Sequence, residues 1–318
     1  MKHLTIAIIS FLLISFDAIA SYDFKNKIEI GDLTYCFDDD NKEAQVVDCS
    51  NSVQSISIPS TVRYGLSYSV VEIDGLAFYG CSSLTSVTIP SSVTKIGHNA
   101  FGSCSSLTSI EIPNSVTMIG NGAFHDCLSL TSFTIPNSVT EIGVNVFEGC
   151  TSLKNLIIED GFEMLDNKGA FRGFPLETLY WGRNFRDTPK NEGGFSLIET
   201  LTSVTISNSV TTILASTFEG CVGLTSVEIP HSITTIGRSA FNMCSSLTSL
   251  SIPNSVTFIG DYVFGDCSNL KDLIFEDGDK DLLISRIYDL NSLENLYIGR
   301  LGTYQFDRLN AIESVTIG

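Results

Sequence analysis

The chain has 318 residues, of which 43% are hydrophobic and 17% are charged. This balance is typical of a folded protein and excludes a disordered chain. Acidic residues outnumber basic ones by 36 to 18, and the formal net charge is −18. A nucleic acid or an anionic membrane surface would be repelled by this charge, so neither is expected as a partner.

Residues 1–20 predict an export signal. A positive start at Lys2 is followed by an apolar run from Leu4 to Phe16, and 18–20 has the small residues of a cleavage site. The apolar run has 13 residues, fewer than the roughly 20 that span a bilayer. We therefore expect a secreted or cell-surface protein whose mature chain begins at Ser21 and has no transmembrane segment.

Residues 21–52 predict an N-terminal cap built as a β-hairpin. Two β-prone runs, 27–37 and 43–49, flank the acidic turn 38–41. We interpret this turn as solvated, since it lacks the spaced ligands of a calcium loop, which is the alternative. Cys36 and Cys49 lie on the two arms and are the predicted disulfide pair.

A repeat of 23 residues organises 53–318. The unit CSSLTSVTIPSSVTKIGHNAFGS begins at Cys81 and returns from Cys104 and Cys127. Its pattern Leu-x-x-Val-x-Ile is typical of a leucine-rich-repeat solenoid, in which each repeat, or rung, adds one strand to a parallel sheet. The predicted rungs begin at Val53, Leu84, Leu107, Leu130, Leu153, Leu176, Leu201, Leu224, Leu247, Leu270, Leu293 and Ile312.

The predicted fold class is an α/β solenoid dominated by β-structure. Within a rung, strand alternation points Leu84, Val87 and Ile89 inward. One parallel strand per rung should line the concave face of a curved stack, and short strands, turns and short helices, such as one at Ala100 and Phe101, should form the back. The hydroxyl of Ser92 is expected to satisfy a backbone group in a turn. The first two rungs start 31 residues apart instead of 23, which predicts a loop within 60–68.

Seven cysteines occupy one repeat position, and we predict that they form a ladder of buried thiols. Parallel side-chain directions make disulfides between rungs unfavourable. The absence of a Cys-x-x-Cys pair argues against zinc, and the histidines of the mature chain fall at three different repeat positions, so we predict no metal, no cofactor and no catalytic site. The ladder residues are Cys81, Cys104, Cys127, Cys150, Cys221, Cys244 and Cys267.

A longer duplication relates 151–183 to 268–300 at a constant offset of 117 residues. Here tyrosines replace the small outward residues of other rungs, and aromatic side chains are frequent anchors at interfaces. An equally supported alternative is that the tyrosines only cover a widened rung. The predicted ligand-binding residues are Tyr180, Trp181, Arg183, Arg186 and Tyr297, with the outward acids Glu111 and Glu228.

The unit CxSLTSVTIPxSVTxIGxxAFxxC, together with LETLYWGRNF and LENLYIGR, resembles the BspA-type leucine-rich repeats of bacterial and protist surface proteins. The resemblance implies an exported, non-enzymatic protein that takes part in adhesion, with host matrix or plasma proteins, or other cells, as partners. It defines no ligand-contacting residues by a motif.

Two other functions remain open. The final rung, from Ile312, is incomplete, so either the reading frame is shortened or a partner covers the edge. An open edge or free thiols would allow chains to assemble end to end. The Tyr and Trp region would alternatively suit a glycan-binding module.

Overall fold

The computed structural model describes residues 27–187, 194–287, 290–304 and 311–318. The predicted export signal lies outside these residues. The described residues form a β-solenoid with 24 strands and no helix, so none of their segments is a helix that could cross a membrane. The predicted α/β class is therefore wrong in its helical part.

The strands are short, and most have two to four residues. In chain order they are β1 (Ile28–Ile30), β2 (Leu33–Asp38), β3 (Glu43–Cys49), β4 (Ser55–Ser57), β5 (Thr61–Tyr64), β6 (Leu66–Ile73), β7 (Ser86–Thr88), β8 (Lys95–Ile96), β9 (Met118–Ile119), β10 (Ser132–Ile135), β11 (Glu141–Ile142), β12 (Asn155–Ile158), β13 (Thr178–Trp181), β14 (Ser203–Ile206), β15 (Thr212–Ile213), β16 (Ser226–Glu228), β17 (Thr235–Ile236), β18 (Ser249–Ile252), β19 (Phe258–Ile259), β20 (Asp272–Phe275), β21 (Leu282–Ile284), β22 (Asn295–Ile298), β23 (Gly302–Thr303) and β24 (Ser314–Ile317).

The N-terminal strands form an antiparallel cap. β1 pairs with β2, and β2 pairs with β3 across the acidic turn. The turn is held by Asp38, whose Oδ1 accepts from the backbone N–H of Asp40 at 2.9 Å and of Asn41 at 3.1 Å. β3 then pairs in parallel with β6, which joins the cap to the first rungs. The extra residues of the first rung form the antiparallel hairpin β5–β6 instead of the predicted loop.

One strand from every rung except the Leu107 rung builds the front of the solenoid, in parallel pairs with neighbouring rungs in register. The pairs group into β4–β7, β10–β12–β13–β14–β16 and β18–β20–β22–β24. The Leu107 rung has no strand at this position and separates the first two groups. We call the outward side of these strands the front face. Inward residues such as Leu84, Val87 and Ile89 are buried, in agreement with the alternation of the sequence.

A second set of parallel strands runs along another side of the stack. β6, β8, β9 and β11 pair in sequence, as do β15, β17, β19, β21 and β23. Isolated bridges at Glu141–Asp166 and Leu165–Phe185 continue the same direction of pairing between the two groups. The buried isoleucines of this side, among them Ile96 and Ile119, meet the inward residues of the front strands in the core.

Where the structure describes the back of a rung, that back is a row of turns in place of the predicted short helices. Asn99 and Ser103, which flank the Ala100–Phe101 pair, have φ of 52° and 59°. A left-handed residue every four positions interrupts an α-helix. The backbone groups instead bond from rung to rung, as in Phe101 N–H to the Ala123 carbonyl at 2.8 Å.

The core is continuous along the stack because one rung alone cannot bury its own apolar side. The phenylalanines of the turns stack on one another, with ring centroids 4.9 Å apart for Phe78–Phe101 and 5.4 Å apart for Phe101–Phe124.

In several rungs, the serine of the turn after the front position forms a hydrogen bond to the preceding rung. The hydroxyl of Ser92 donates to the Val70 carbonyl at 2.6 Å, and that of Ser115 to the Val93 carbonyl at 2.6 Å, which confirms the predicted role of this serine.

Candidate functional site

One row of outward side chains on the front face contains three of the predicted site residues. The register aligns Ile157 with Tyr180, Tyr180 with Thr205, and Thr205 with Glu228. The row continues at Ser251, which pairs with Ile274, and Ile274 pairs with Tyr297. We call this line of residues the front row; in chain order it runs Thr134, Ile157, Tyr180, Thr205, Glu228, Ser251, Ile274, Tyr297 and Thr316.

The first aromatic position in the front row is a cluster of three side chains. The hydroxyl of Tyr180 lies 2.9 Å from Oδ2 and 3.1 Å from Oδ1 of Asp160, so it donates to that carboxylate. Ile157 stands beside the ring and is 43% exposed. The cluster therefore presents an aromatic ring, an aliphatic side chain and a carboxylate on one small area of the surface.

The second aromatic position repeats this chemistry. The hydroxyl of Tyr297 donates to Oδ1 of Asp277 at 2.6 Å, and Ile274 beside it is 40% exposed. The hydrogen bond to this carboxylate raises the pKa of Tyr297, and partial desolvation adds to the effect. This tyrosine therefore stays neutral and donates at physiological pH.

The acids that precede these two aspartates hold the turns of the preceding rungs. Oε2 of Glu159 accepts from the backbone N–H of Asn137 at 3.0 Å. Its counterpart Glu276 accepts from the backbone N–H of Asn254 at 3.3 Å and from the Ser251 hydroxyl at 3.1 Å. One carboxylate of each Glu-Asp pair is thus structural, while the other is held at the surface by tyrosine.

Glu111 lies one rung before Thr134, the first member of the front row, at the interruption of the front strands. It lines a groove of about 420 Å³ whose other walls include Ile110, Pro113, Thr134 and Glu159. Glu228, in contrast, is exposed within the front row two rungs from Tyr180. The structure therefore does not bring the two predicted acids together.

Trp181 is buried, and this corrects its prediction as a ligand contact. Its register partners are Ile158 and Ile206, which point inward, and its own exposed fraction is 0%. The indole stacks on Phe185 with ring centroids 5.2 Å apart. The strand alternation Leu176, Leu179, Trp181 already contains this signal. A glycan site built on this indole loses its support.

Arg183 is also buried, and it serves the backbone instead of a ligand. Its Nη1 donates to the Asn137 carbonyl at 2.7 Å and its Nη2 to the Pro136 carbonyl at 2.9 Å. Burial lowers the pKa of this guanidinium, and the carboxylate of Glu159 opposes the effect. The prediction that Arg183 binds a ligand is therefore wrong.

Arg186 is exposed but lies away from Tyr180. Its backbone N–H donates to the Leu165 carbonyl at 2.9 Å, within the second set of strands. The predicted cluster of Tyr180, Trp181, Arg183 and Arg186 is thus divided among the front face, the core and another side of the stack.

The seven ladder cysteines are buried free thiols in the structure. The thiol of Cys104 donates to the Phe78 carbonyl at 3.1 Å, and that of Cys127 to the Phe101 carbonyl at 3.2 Å. Burial raises the pKa of the Cys104 thiol to about 12. Cys104 is therefore a core group with little thiolate character at neutral pH.

The predicted disulfide between Cys36 and Cys49 is wrong. Cys36 pairs in register with Gln45, whereas Cys49 pairs with Leu33 at the far end of the same two strands. Cys49 lies on the buried side of the cap and Cys36 is half-buried. The thiol of Cys49 contacts that of Cys81, and this hydrogen bond raises the pKa of Cys49. Cys49 thus extends the buried ladder into the cap.

Sequence reasoning missed the two aspartates and the two isoleucines of the clusters. Both copies contain Glu-Asp-Gly directly after a strand, at 159–161 and 276–278, where regular rungs have Pro, and this shared departure was the available signal. Among the described residues, no group of three or more His, Cys, Asp or Glu side chains could hold a metal ion.

Comparison with solved structures shows a similar fold. A leucine-rich repeat protein from Bacteroides ovatus is 24% identical with a TM-score of 0.54, and the match covers 93% of this chain and 79% of that one. A leucine-rich repeat protein of T. pallidum is 28% identical with a TM-score of 0.47, covering 70% and 91%. A leucine-rich cell surface protein from Faecalibacterium prausnitzii is 23% identical with a TM-score of 0.42, covering 80% and 96%.

No curated protein matches the chain. The model of the BspA type leucine rich repeat region, in contrast, matches with six copies over residues 71–192 and 188–313. These matches span most of the chain and coincide with the 23-residue rungs. The chain therefore belongs to the family of BspA-type leucine-rich-repeat proteins.

Proposed function

We propose that this protein is a secreted or cell-surface, non-enzymatic binding module of the adhesin type. Its ligands are extracellular proteins, such as matrix or plasma proteins, and the front face, which we take as the concave one, recognises them. The observation that carries the proposal is the pair of partly exposed tyrosines, Tyr180 and Tyr297, each of which stands between an isoleucine and a threonine in one row of a regular sheet.

The chemistry of the front face suits a protein ligand. Tyrosine supplies a large amphipathic contact area at low conformational cost and is frequent among residues that dominate interface energies. Hydroxyl side chains beside the front row add directional polar contacts. Ser86 and Ser55, for example, are bonded to each other at 2.9 Å and remain exposed.

The family and the predicted export signal at residues 1–20 support export. Leucine-rich repeats of this type are typically binding modules, and residues 1–20 have the composition of a signal peptide. The net charge of −18 favours ligands with basic surface over nucleic acid or anionic lipid.

The test is capture of the full chain on immobilised fibronectin, fibrinogen and other matrix and plasma proteins over a salt series. We expect saturable binding to at least one of them that weakens as the salt concentration rises, since the chain is acidic. In the double variant Tyr180→Ala with Tyr297→Ala, we expect the affinity to fall at least tenfold.

The matched control removes two tyrosines from the turn side. Tyr79 and Tyr262 are 48% and 39% exposed there, so Tyr79→Ala with Tyr262→Ala removes similar groups outside the front face. Equal losses in the two double variants, or no saturable binding at micromolar concentrations, would contradict the proposal.

A further inference from the structure

The two tyrosine clusters of the front face are copies of one another. Ile157, Asp160 and Tyr180 correspond to Ile274, Asp277 and Tyr297 at a constant offset of 117 residues. In both copies the tyrosine hydroxyl donates to the aspartate, at 2.9 Å in the first and 2.6 Å in the second. The duplication has therefore preserved the arrangement of the side chains.

The distance between the clusters follows from the register. From the Leu153 rung to the Leu270 rung there are five rung steps, since the intervening rungs begin at Leu176, Leu201, Leu224 and Leu247. At about 4.8 Å per step, the clusters are about 24 Å apart. An extended polypeptide covers that distance in about seven residues, at about 3.3 Å per residue.

The strip between the clusters has low relief. Its front-row residues are Thr205, Glu228 and Ser251, all exposed. Two of the three are short, and the third adds a carboxylate at the middle. A ligand that touches both clusters therefore has an open path along the front row.

The charge of this area points to a cationic ligand. Asp160, Glu228 and Asp277 are exposed along the path. Two lysines just ahead of the strands, Lys154 and Lys271, form ion pairs with Glu177 and Glu294 and so do not neutralise these three carboxylates. Each aspartate accepts one hydrogen bond from tyrosine and keeps further capacity to accept, since a carboxylate has about four acceptor positions.

We infer that the two Ile-Tyr-Asp clusters together bind one extended, positively charged polypeptide segment, with basic side chains about seven residues apart. At each end an arginine or lysine lies over the tyrosine ring and donates to the aspartate, and its aliphatic stem packs on the isoleucine. Bridging both clusters makes the second contact intramolecular, so the affinity depends on the spacing. This inference deepens the proposed function and rests on it.

The probe is a pair of labelled 15-residue Gly/Ser peptides of identical composition. One has Arg-Arg at positions 4–5 and 11–12, and the other has the four arginines together at positions 6–9. Fluorescence polarisation with the full chain should give at least fivefold tighter binding for the first peptide. The variants Tyr180→Ala and Tyr297→Ala should each remove this preference, whereas Tyr79→Ala with Tyr262→Ala should leave it unchanged.

A second pair of substitutions separates charge from aromatic contact. Asp160→Asn with Asp277→Asn keeps an oxygen that can accept from each tyrosine but removes the negative charge. We expect at least fivefold weaker binding of the spaced peptide and a smaller dependence on salt. All variants should keep the thermal unfolding midpoint of the unmodified chain, because the changed side chains are at the surface.

Equal affinities for the two peptides, or a spacing preference that survives loss of both tyrosines, would overturn the inference. If the peptides are bound equally while the tyrosine variants still lose capture on matrix proteins, only the inference fails. If capture on matrix proteins is also unaffected by the tyrosine variants, the proposed function fails with it.

Discussion

The guanidinium of Arg183 donates to the backbone carbonyl of Asn137 at 2.7 Å, across the whole rung that separates them. The intervening rung permits this because Gly161 leaves room, and a Cβ there would lie 3.3 Å from Cδ of Arg183. Arg300 repeats the arrangement with the carbonyls of Asn254 at 2.8 Å and Pro253 at 3.2 Å. In regular rungs the serine hydroxyl connects adjacent rungs, and here one arginine connects rungs two apart.

The first prediction concerns this arginine. In Arg183→Met, two carbonyls lose charged donors inside the protein, so the free energy of unfolding should fall by roughly 3 kcal/mol. Arg183→Lys should recover only part of the loss, because an ammonium group lacks the planar fork that reaches both oxygens. Urea unfolding followed by circular dichroism measures both, and the exposed Arg63→Met serves as control. An equal effect of the changes at 183 and 63 would contradict the assigned role.

The second prediction concerns the thiols. In the native protein only Cys36 should react rapidly with iodoacetamide at pH 8, because it is half-buried and the other eight cysteines are buried. After denaturation without reductant, all nine should be labelled, as counted by intact mass. A count of seven labels, with Cys36 and Cys49 unlabelled, would show that these two cysteines form the disulfide that the strand register argues against.

The third prediction concerns alkaline pH. Burial raises the pKa of Cys104, Cys221 and Cys267 to about 12 each, against about 8.5 in an unfolded chain. Above about pH 8.5 the unfolded chain releases protons that the folded chain keeps. The contribution of these thiols to the free energy of unfolding is therefore fully present below that pH and falls as the pH rises toward 12. Each thiol contributes a slope of up to about 1.4 kcal/mol per pH unit.

Urea unfolding at intervals from pH 8 to pH 11 tests this. Replacing the three cysteines with alanine should flatten the decline relative to the unmodified chain, while Cys36→Ala should change it less. An unchanged slope in the triple variant would show that other groups, such as Tyr35, whose pKa burial raises to about 12, account for the alkaline loss.

The fourth prediction concerns the glycines that stack between rungs. A Cβ at Gly120 would lie 2.6 Å from the carbonyl carbon of Gly97, a backbone atom that cannot move aside alone. Gly120→Ala should therefore cost about 1–3 kcal/mol of unfolding free energy. Gly75→Ala is the control, since the nearest atoms to its Cβ would be the His98 carbonyl oxygen at 3.3 Å and the His98 backbone nitrogen at 3.8 Å. Similar melting temperatures for both variants would argue against close backbone contact as the reason for this glycine.

The fifth prediction concerns Trp181, the only tryptophan of the chain. Because it is buried against Phe185 and Phe195, iodide should quench native fluorescence weakly and denatured fluorescence strongly. Glycans should leave the emission unchanged. Efficient quenching of the native protein would mean that the indole is accessible after all.

Much of the fold was predictable because the period and the alternation are local properties of the sequence. The inward set Leu84, Val87 and Ile89 and the serine at position 92 follow from these patterns and occupy the expected places. The helical back was predicted wrongly because turn and helix differ here in the sign of φ at residues such as Asn99, which spacing alone does not reveal.

The candidate site was predictable only in part. The outward direction of Tyr180 and Tyr297 follows from alternation, and the same rule applied to Trp181 would have placed it inside. The partners of Arg183 lie in a rung 46 residues earlier, so its burial depends on contacts that no local pattern contains. Asp160 likewise meets Tyr180 only because the turn of one rung passes beside the strand of the next.

The paired arginines also bear on how the length of this protein can change. The two arginines lie 117 residues apart, so residues 184–300 form one block of five rungs that starts just after Arg183 and ends at Arg300. Loss or gain of one such block would join sequences that already accept the same neighbours, so no new junction would be required. Gene variants that differ by whole blocks should therefore fold, and they would lengthen or shorten the reach of the molecule in steps of five rungs while adding or removing one tyrosine cluster each time.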